Sequence, residues 1–517
     1  MRKFLLFIAV FASFSETVFA TSFSEHIKKQ PIPHEVQISN SQSVISYSIE
    51  PFYDLNAFRL LVVLEFRGEK SGQTRLRLPN NYGSNKDWEG VKYLKPLSHE
   101  TFIEDTEEHD VKLVKYPPNS SVKIYYQLEQ VRKEEIALGN HYMASIERKF
   151  FHVLGETFFI YPDWDANTEF TFRISWNKFP NKWNLANSFG VNEKNQEVKL
   201  PLWKFRHSIF TGGNFRIEKR MIRNNPVYVA IKGNYKFPLE QFIDMIQTIL
   251  YEERTFWNDY NFPLFLITVL PIEGDNDQGG TGRVNSFSLF LSEDRQIDYR
   301  MKRLLAHEIF HTWLGEKINL AGPESLLYWF SEGFSDYYAR LLLLRAGLIS
   351  LEDYIKEYNN VLKQYFTSAV RNERNEQLAD GFWNDGDLNK LPYLRGDILA
   401  HNLNFAILKN TMTKKNLDDL MRDLYERSRK EGLLVSSGSL SNLIRFYGGE
   451  LVLADVMKVL NLGAPIKIYP EALGPCVEME FDSSRKYWLF GEKFDYPVYK
   501  LKTDQVDKSC YDWFKVK

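Results

Sequence analysis

The run Leu304-Leu305-Ala306-His307-Glu308-Ile309-Phe310-His311 sets two imidazoles four residues apart, with a carboxylate beside the first. Residues four apart on a helix share one face. Two such imidazoles can hold one Zn²⁺, and the adjacent glutamate can take a proton from a water on the metal. The apolar flanks Leu304, Leu305, Ile309 and Phe310 suit a buried helix, which gives a catalytic metal a dry wall. Such a metal needs a third protein ligand and one open position. A third histidine in the pattern HExxHxxGxxH is excluded, because Gly315 comes one place late and Lys317 and Ile318 stand where that histidine would fall. A glutamate on a following helix is the other route. Glu332 lies in the run Leu327-Tyr328-Trp329-Phe330-Ser331-Glu332-Gly333-Phe334, where an unpaired carboxylate would be costly and a metal would remove that cost. Asp336, one turn later, can accept the free N–H of a liganding histidine and fix its tautomer. The plainer alternative is an ordinary helix with two part-exposed histidines and a solvated glutamate at a helix start.

These residues, with Trp313, Ser335-Asp336-Tyr337-Tyr338 and the run 342–349, resemble the glycyl aminopeptidase family of gluzincin zinc metallopeptidases. The likeness is closest over about residues 300 to 355. It implies a thermolysin-like α+β catalytic domain behind an N-terminal β domain. It also implies one zinc on His307, His311 and Glu332, with Glu308 as general base. Tyr393 matches a family tyrosine that faces the zinc, where a phenol can donate to an oxyanion. In gluzincins the strand before the HExxH helix borders the cleft and pairs with the substrate backbone. Relatives carry Gly-Gly-x-Glu-His there, and that glutamate anchors the substrate's free amine. This chain has Gly279-Gly280-Thr281-Gly282-Arg283, so Gly282 replaces the glutamate and Arg283 the histidine. Gly279, Gly280, Gly282 and Arg283 are the substrate-binding candidates of this strand. A cation there repels an ammonium and suits a carboxylate. Asp275 or Asp277 is a candidate for the missing negative charge. The expected activity is peptide-bond hydrolysis by an aminopeptidase with a preference for small N-terminal residues. The alternatives are an endopeptidase, following from Gly282, and a zinc-containing binding protein without turnover.

The elements that must position these residues follow from periodicity. Phe58, Leu60, Val62, Leu64 and Phe66 alternate along a strand, and similar patterns make 21–212 a β-sandwich-like domain. Strands are expected at 227–231 and 264–270, a helix at 239–259, and one continuous strand over 279–291. The HExxH helix is expected over 298–315, inside a catalytic domain at 213–348. Helices at 351–371, 395–408, 417–429 and 451–462 make 349–463 a helical region completing the cleft. The remainder, 464–517, is too short for the PDZ domain that ends many relatives and reads as a small β appendage.

Lys and Arg number 65 against 67 Asp and Glu, a balance that argues against a nucleic-acid partner. The 39 Phe, 28 Tyr and 11 Trp fit thick cores. Met1-Arg2-Lys3, the apolar run to Phe14 and Val18-Phe19-Ala20 read as a signal peptide over 1–20, cleaved after Ala20. That places the mature chain in a secreted or periplasmic location, with no stable membrane insertion after cleavage. In such a compartment Cys476 and Cys510 could pair.

Overall fold

Phe58, Leu60, Val62, Leu64 and Phe66 all point into one core from the strand Phe58–Arg67. The computed structural model describes residues 44–54, 57–80, 86–382, 385–485, 493–502 and 508–516. The expected signal peptide lies outside them. In a six-stranded sheet, Phe58–Arg67 lies between Val44–Tyr53 and Ser121–Leu128; Glu169–Trp176, Asn195–Pro201 and Val91–Pro96 complete it. A four-stranded sheet holds Gln73–Arg77, Val111–Lys115, Phe102–Asp105 and the short Tyr161–Pro162. The chain is multidomain: these β layers share one core that includes Ile45, Leu60, Ile124 and Phe172, separate from the core of the helices.

A further five-stranded sheet, with Phe150–Leu154 and Ile209–Gly213 at its centre, joins the β-rich part to the rest. Phe150, Ala186 and Phe215 from this part share a core with Ala230, Leu266, Leu270 and Phe290. Polar contacts cross the same boundary: His152 Nε2 lies 2.9 Å from Ser288 Oγ and 3.1 Å from Thr268 Oγ1. Ser188 and Ser286 hydroxyls meet at 2.7 Å.

Beyond it lies a five-stranded sheet in the order Arg216–Ile222, Asn225–Ile231, Phe265–Pro271, Ser286–Leu291, Gln278–Arg283. The expected single strand over 279–291 is a hairpin. Asn285 takes φ 50°, a left-handed conformation that asparagine tolerates, and the chain reverses so that Gln278–Arg283 pairs antiparallel with Ser286–Leu291. Gln278–Arg283 therefore becomes the edge of the sheet.

The helix Tyr299–Phe310 starts at Asp298, whose side chain accepts from the Met301 N–H. It is shorter than expected and stops at the turn that follows His311. Tyr328–Arg345 is buried on every side from Tyr328 to Leu344, as a helix without a polar face must be. The helix expected at 395–408 spans Gly386–Asn410 and runs through Pro392. It crosses Tyr328–Arg345 at two glycines. A Cβ on Gly396 would lie 1.8 Å from the Trp329 carbonyl oxygen, and one on Gly333 would lie 2.3 Å from Gly396 Cα. Only bare backbone permits this approach. It sets Tyr393, one turn before Gly396, beside Glu332, the residue before Gly333. Leu351–Thr367, Leu417–Glu431 and Glu450–Leu462 match expected helices, while Asn375–Gly381 and Ser437–Gly448 are additional.

After residue 463 come the antiparallel pair Val477–Arg485 and Lys493–Leu501 and the short helix Lys508–Asp512. Cys476 and Cys510 form a disulfide. Arg345 Nε donates to the Phe514 carbonyl at 2.7 Å, which fastens this tail to the end of the central helix. Among the described residues no helix is long and apolar enough to cross a membrane.

Candidate metal centre

His307 lies within Tyr299–Phe310 and His311 one residue past its end, at φ −62° and ψ −16°, so the helical spacing persists. Glu332 reaches them from Tyr328–Arg345. The three side chains are buried, and their ligand atoms converge. His311 Nε2 is 3.1 Å from His307 Nε2, and Glu332 Oε2 is 3.3 Å from His307 Nε2 and 3.5 Å from His311 Nε2.

The far nitrogens explain which tautomer is present. His307 Nδ1 faces Asp336 Oδ1 at 2.7 Å, and His311 Nδ1 faces the Leu314 carbonyl at 3.0 Å. Both partners are acceptors, so each Nδ1 carries a proton and, in the neutral ring, each Nε2 presents a lone pair. Two lone pairs and a carboxylate oxygen then point at one another, an arrangement that needs a cation. Atoms bound about 2.0 Å from one zinc at tetrahedral angles lie about 3.3 Å apart. The donor set and its spacing fit zinc. Glu308 Oε1 and Glu332 Oε1 are buried without a hydrogen-bond partner among the described residues, which leaves acceptors for a ligand to meet.

The charges respond to this crowding. Burial alone would lower His307, but Asp336 and Glu332 outweigh it and raise its pKa to about 10. Burial pulls Glu332 up, and His311 and His307 together bring it down to about 2. Without a metal the cluster therefore traps a proton, which a divalent ion would displace. Glu308 is different: burial dominates and pushes it up to about 7, against the opposing pull of His307 and His311. The Gly282 backbone adds a smaller downward pull on the Glu308 carboxyl.

Tyr393 lies where the glycine crossing puts it. Its ring stacks on His307 at 6.0 Å between centroids, and its hydroxyl hydrogen-bonds the Glu332 carboxylate. Burial and the surrounding Glu332, Asp336 and Glu308 carboxylates keep the phenol protonated, well above the ordinary tyrosine range.

The edge strand places Gly279, Gly280 and Gly282 as candidates along the cleft. The Tyr142 hydroxyl, from the β-rich part, donates to the Gly280 carbonyl at 3.4 Å. Arg283 does not present a bare cation. Its guanidinium is 5% exposed; it donates to Glu156 Oε1 at 3.1 Å and to Thr281 Oγ1 at 2.6 Å. The repulsion of an ammonium expected from Arg283 is thus matched by a carboxylate the sequence reading passed over. Glu156 sits in Val153-Leu154-Gly155-Glu156-Thr157-Phe158-Phe159, and an acid in such an apolar run is the same signal that pointed to Glu332. Asp275 is exposed on the loop. Asp277 is five strand residues, about 16 Å, from Gly282. Neither fills the place of the missing glutamate.

Residues 300–384 match the family model of the M61 glycyl aminopeptidase. No curated protein matches the chain. Among solved structures, an aminopeptidase N family protein from Idiomarina loihiensis is similar at a TM-score of 0.69 and 16% identity, over 84% of this chain and 79% of its own. An M1 zinc metallopeptidase variant from Deinococcus radiodurans, bound to a Tyr-Ser-Ala substrate, is similar at 0.50 and 14% identity, over 84% of this chain and 96% of its own. A two-domain M1 zinc metallopeptidase variant bound to L-tryptophan gives 0.50 and 14% identity, over 83% of this chain and 95% of its own. Likeness at such identity is likeness of fold. The family match spans His307, Glu308, His311, Glu332 and Asp336, over 85 of the 517 residues, and supports a zinc-dependent, aminopeptidase-like peptidase similar there to the glycyl aminopeptidases.

Proposed function

We propose that this chain is a secreted or periplasmic aminopeptidase that uses one zinc per chain and prefers small N-terminal residues. The observation that carries the hydrolytic reading is the convergence of His307, His311 and Glu332 beside the unpartnered Glu308 oxygen. The preference for a small first residue rests on the likeness to the glycyl aminopeptidases. In this reading 213–348 is a thermolysin-like catalytic domain, and 349–463 completes its cleft.

Bound zinc would polarise the scissile carbonyl and make an attacking water more acidic. His307 and His311 would hold it, each fixed by its Nδ1 partner, and Glu332 would close the set. Glu308 takes the proton from the attacking water and later delivers it to the leaving amine. Burial, which raises this carboxyl above the ordinary glutamate range, suits it to accept that proton. Tyr393 turns its hydroxyl from Glu332 toward the developing oxyanion. The outer edge of Gln278–Arg283, whose Gly280 and Gly282 carbonyls already accept from Tyr142 and Arg283, offers its remaining backbone groups to an extended substrate.

A second reading, endopeptidase action, is favoured by one observation: Gly282 has no side chain to hold a free amine, and the nearby acid Glu156 is engaged by Arg283. Peptides with free and acetylated N-termini separate the two readings, with products read by mass spectrometry in the presence and absence of a zinc chelator. Chelator-sensitive release of single residues from free-amine peptides alone supports the aminopeptidase. Equal internal cleavage of both sets establishes the endopeptidase. No cleavage by a zinc-loaded chain removes the peptidase reading.

A further inference from the structure

Arg303 stands one turn before His307 on Tyr299–Phe310, on the same helical face. Its Nη2 donates to Asp336 Oδ2 at 2.5 Å. The other oxygen of that carboxylate, Oδ1, accepts from His307 Nδ1 at 2.7 Å. Asp336 therefore bridges two residues of the first metal helix from its place on the second. Both of its oxygens are engaged, each by a different side chain. We infer that Arg303 is a positioning residue for the metal centre: by holding Asp336 in one orientation it fixes the His307 ring and sets the affinity of the His307–His311–Glu332 group for a divalent ion. The inference rests on the zinc reading of that group and extends it to a residue that touches neither metal nor substrate.

The physical argument starts from the aspartate. The last torsion of an aspartate is broad and nearly two-fold, so one hydrogen bond does not define the carboxylate plane. Water cannot readily supply a second anchor, because the Asp336 side chain is only 7% exposed. Arg303 does so from a position where its own side chain is 27% exposed, so the rest of its donors reach solvent. Of the two ligand imidazoles, His307 lies within the helix and His311 one residue past its end, so His307 is the better supported of the pair. A lever on His307 is thus a lever on the whole group. Two effects of removing Arg303 oppose each other. Loss of a positive charge would tighten binding of a divalent cation through space. Loss of the anchor would loosen it, because partners behind metal-binding histidines typically contribute 10–100-fold in affinity. Arg303 is part-exposed, so solvent weakens the through-space effect, and the anchor effect wins.

The test measures the zinc dissociation constant of the full chain by competition with a chromophoric chelator, for the wild type, Arg303→Met, Arg303→Lys, Asp336→Asn and the Arg303→Met/Asp336→Asn double variant. Melting of each zinc-free protein is followed alongside. Arg303→Met is expected to weaken zinc binding by about 10-fold or more. Arg303→Lys, which keeps one donor, is expected to recover most of that loss. Arg303→Met should add nothing once Asp336 is Asn, since the anchor acts only through that carboxylate. Unchanged or tighter zinc binding by Arg303→Met overturns the inference. So does a lower melting temperature of the zinc-free protein with zinc affinity intact, which marks a purely structural bridge. Additive losses in the double variant overturn it as well. If Arg303→Met fails to fold, the Arg303→Lys and Asp336→Asn measurements decide: equal wild-type affinity in both overturns the inference. A wild-type chain that binds no zinc overturns this inference and the metal reading together, an outcome distinct from all the others.

Discussion

Two buried clusters in this molecule are built from the same three residue types, and only one of them calls for a metal. In the first, Asp336 accepts from His307 and from Arg303. In the second, Asp397 receives both terminal nitrogens of Arg340, at 2.5 and 2.9 Å, and lies 3.2 Å from His401 Nδ1. The difference is on the far side of each imidazole. His401 Nε2 meets the Tyr354 hydroxyl at 2.9 Å, a protein donor that closes the circuit. His307 Nε2 meets His311 and Glu332, which offer only lone pairs. The pKa values diverge accordingly. Burial holds His401 below the ordinary histidine range despite Asp397, while His307 is driven to about 10. A His–Asp–Arg triplet is therefore not the mark of a metal site. Converging acceptors without a donor are.

The largest effect is expected where the first cluster acts on substrate. Glu308→Gln keeps shape and volume but removes the base, so turnover should fall by about 10³-fold. Zinc content measured on the same preparation should stay at the wild-type level. Retained turnover would assign the proton transfer to another group.

Next comes the contrast between the two aspartates. Asp397→Asn leaves the Arg340 side chain, 2% exposed, as an uncompensated buried charge. It should cost about 3–5 kcal/mol in denaturant unfolding and leave the zinc dissociation constant alone. Asp336→Asn should do the reverse, with zinc bound about 10–100-fold more weakly and a smaller change in stability. Equal stability losses in the two variants would erase the distinction between a closed cluster and a metal-binding one.

The first cluster was far more legible in the sequence than the second, for physical reasons. His307, Glu308 and His311 lie within one turn, so helical spacing alone implied their shared face. Glu332 and Asp336 stood out because acids in an apolar run need partners. Tyr393 came only through family likeness, because its position depends on the Gly333–Gly396 crossing, a contact 63 residues apart in the chain. A glycine inside a helical pattern was the one available sign of it. The start of the helix Gly386–Asn410 was misplaced because Pro392 reads as a boundary, yet the helix continues through it. The edge hairpin was missed because Val284-Asn285 is too short to interrupt an apolar pattern. The pairing of Arg283 with Glu156 joins residues 127 apart, and no local pattern encodes such a contact.

A third buried histidine sharpens the comparison by having no carboxylate at all. Among the described residues His152 Nε2 meets the hydroxyls of Thr268 and Ser288, at the boundary between the β-rich part and the sheet that carries Gln278–Arg283. Burial, with Arg283 adding to it, lowers its pKa to about 3. In the unfolded chain it returns to about 6.5. Between these values the unfolded state binds the extra proton and the folded state does not, so stability falls as pH drops through this window. From pH 6.5 to 5.5 the loss from this one residue is about 1 kcal/mol. His152→Gln retains a polar side chain and abolishes the titration. Denaturant unfolding of both proteins at the two pH values should show the wild type losing about 1 kcal/mol more than the variant. Other groups, His401 among them, contribute equally to both proteins and cancel. Equal losses would mean that His152 can be protonated in place, and that the boundary it occupies opens to water before the molecule unfolds.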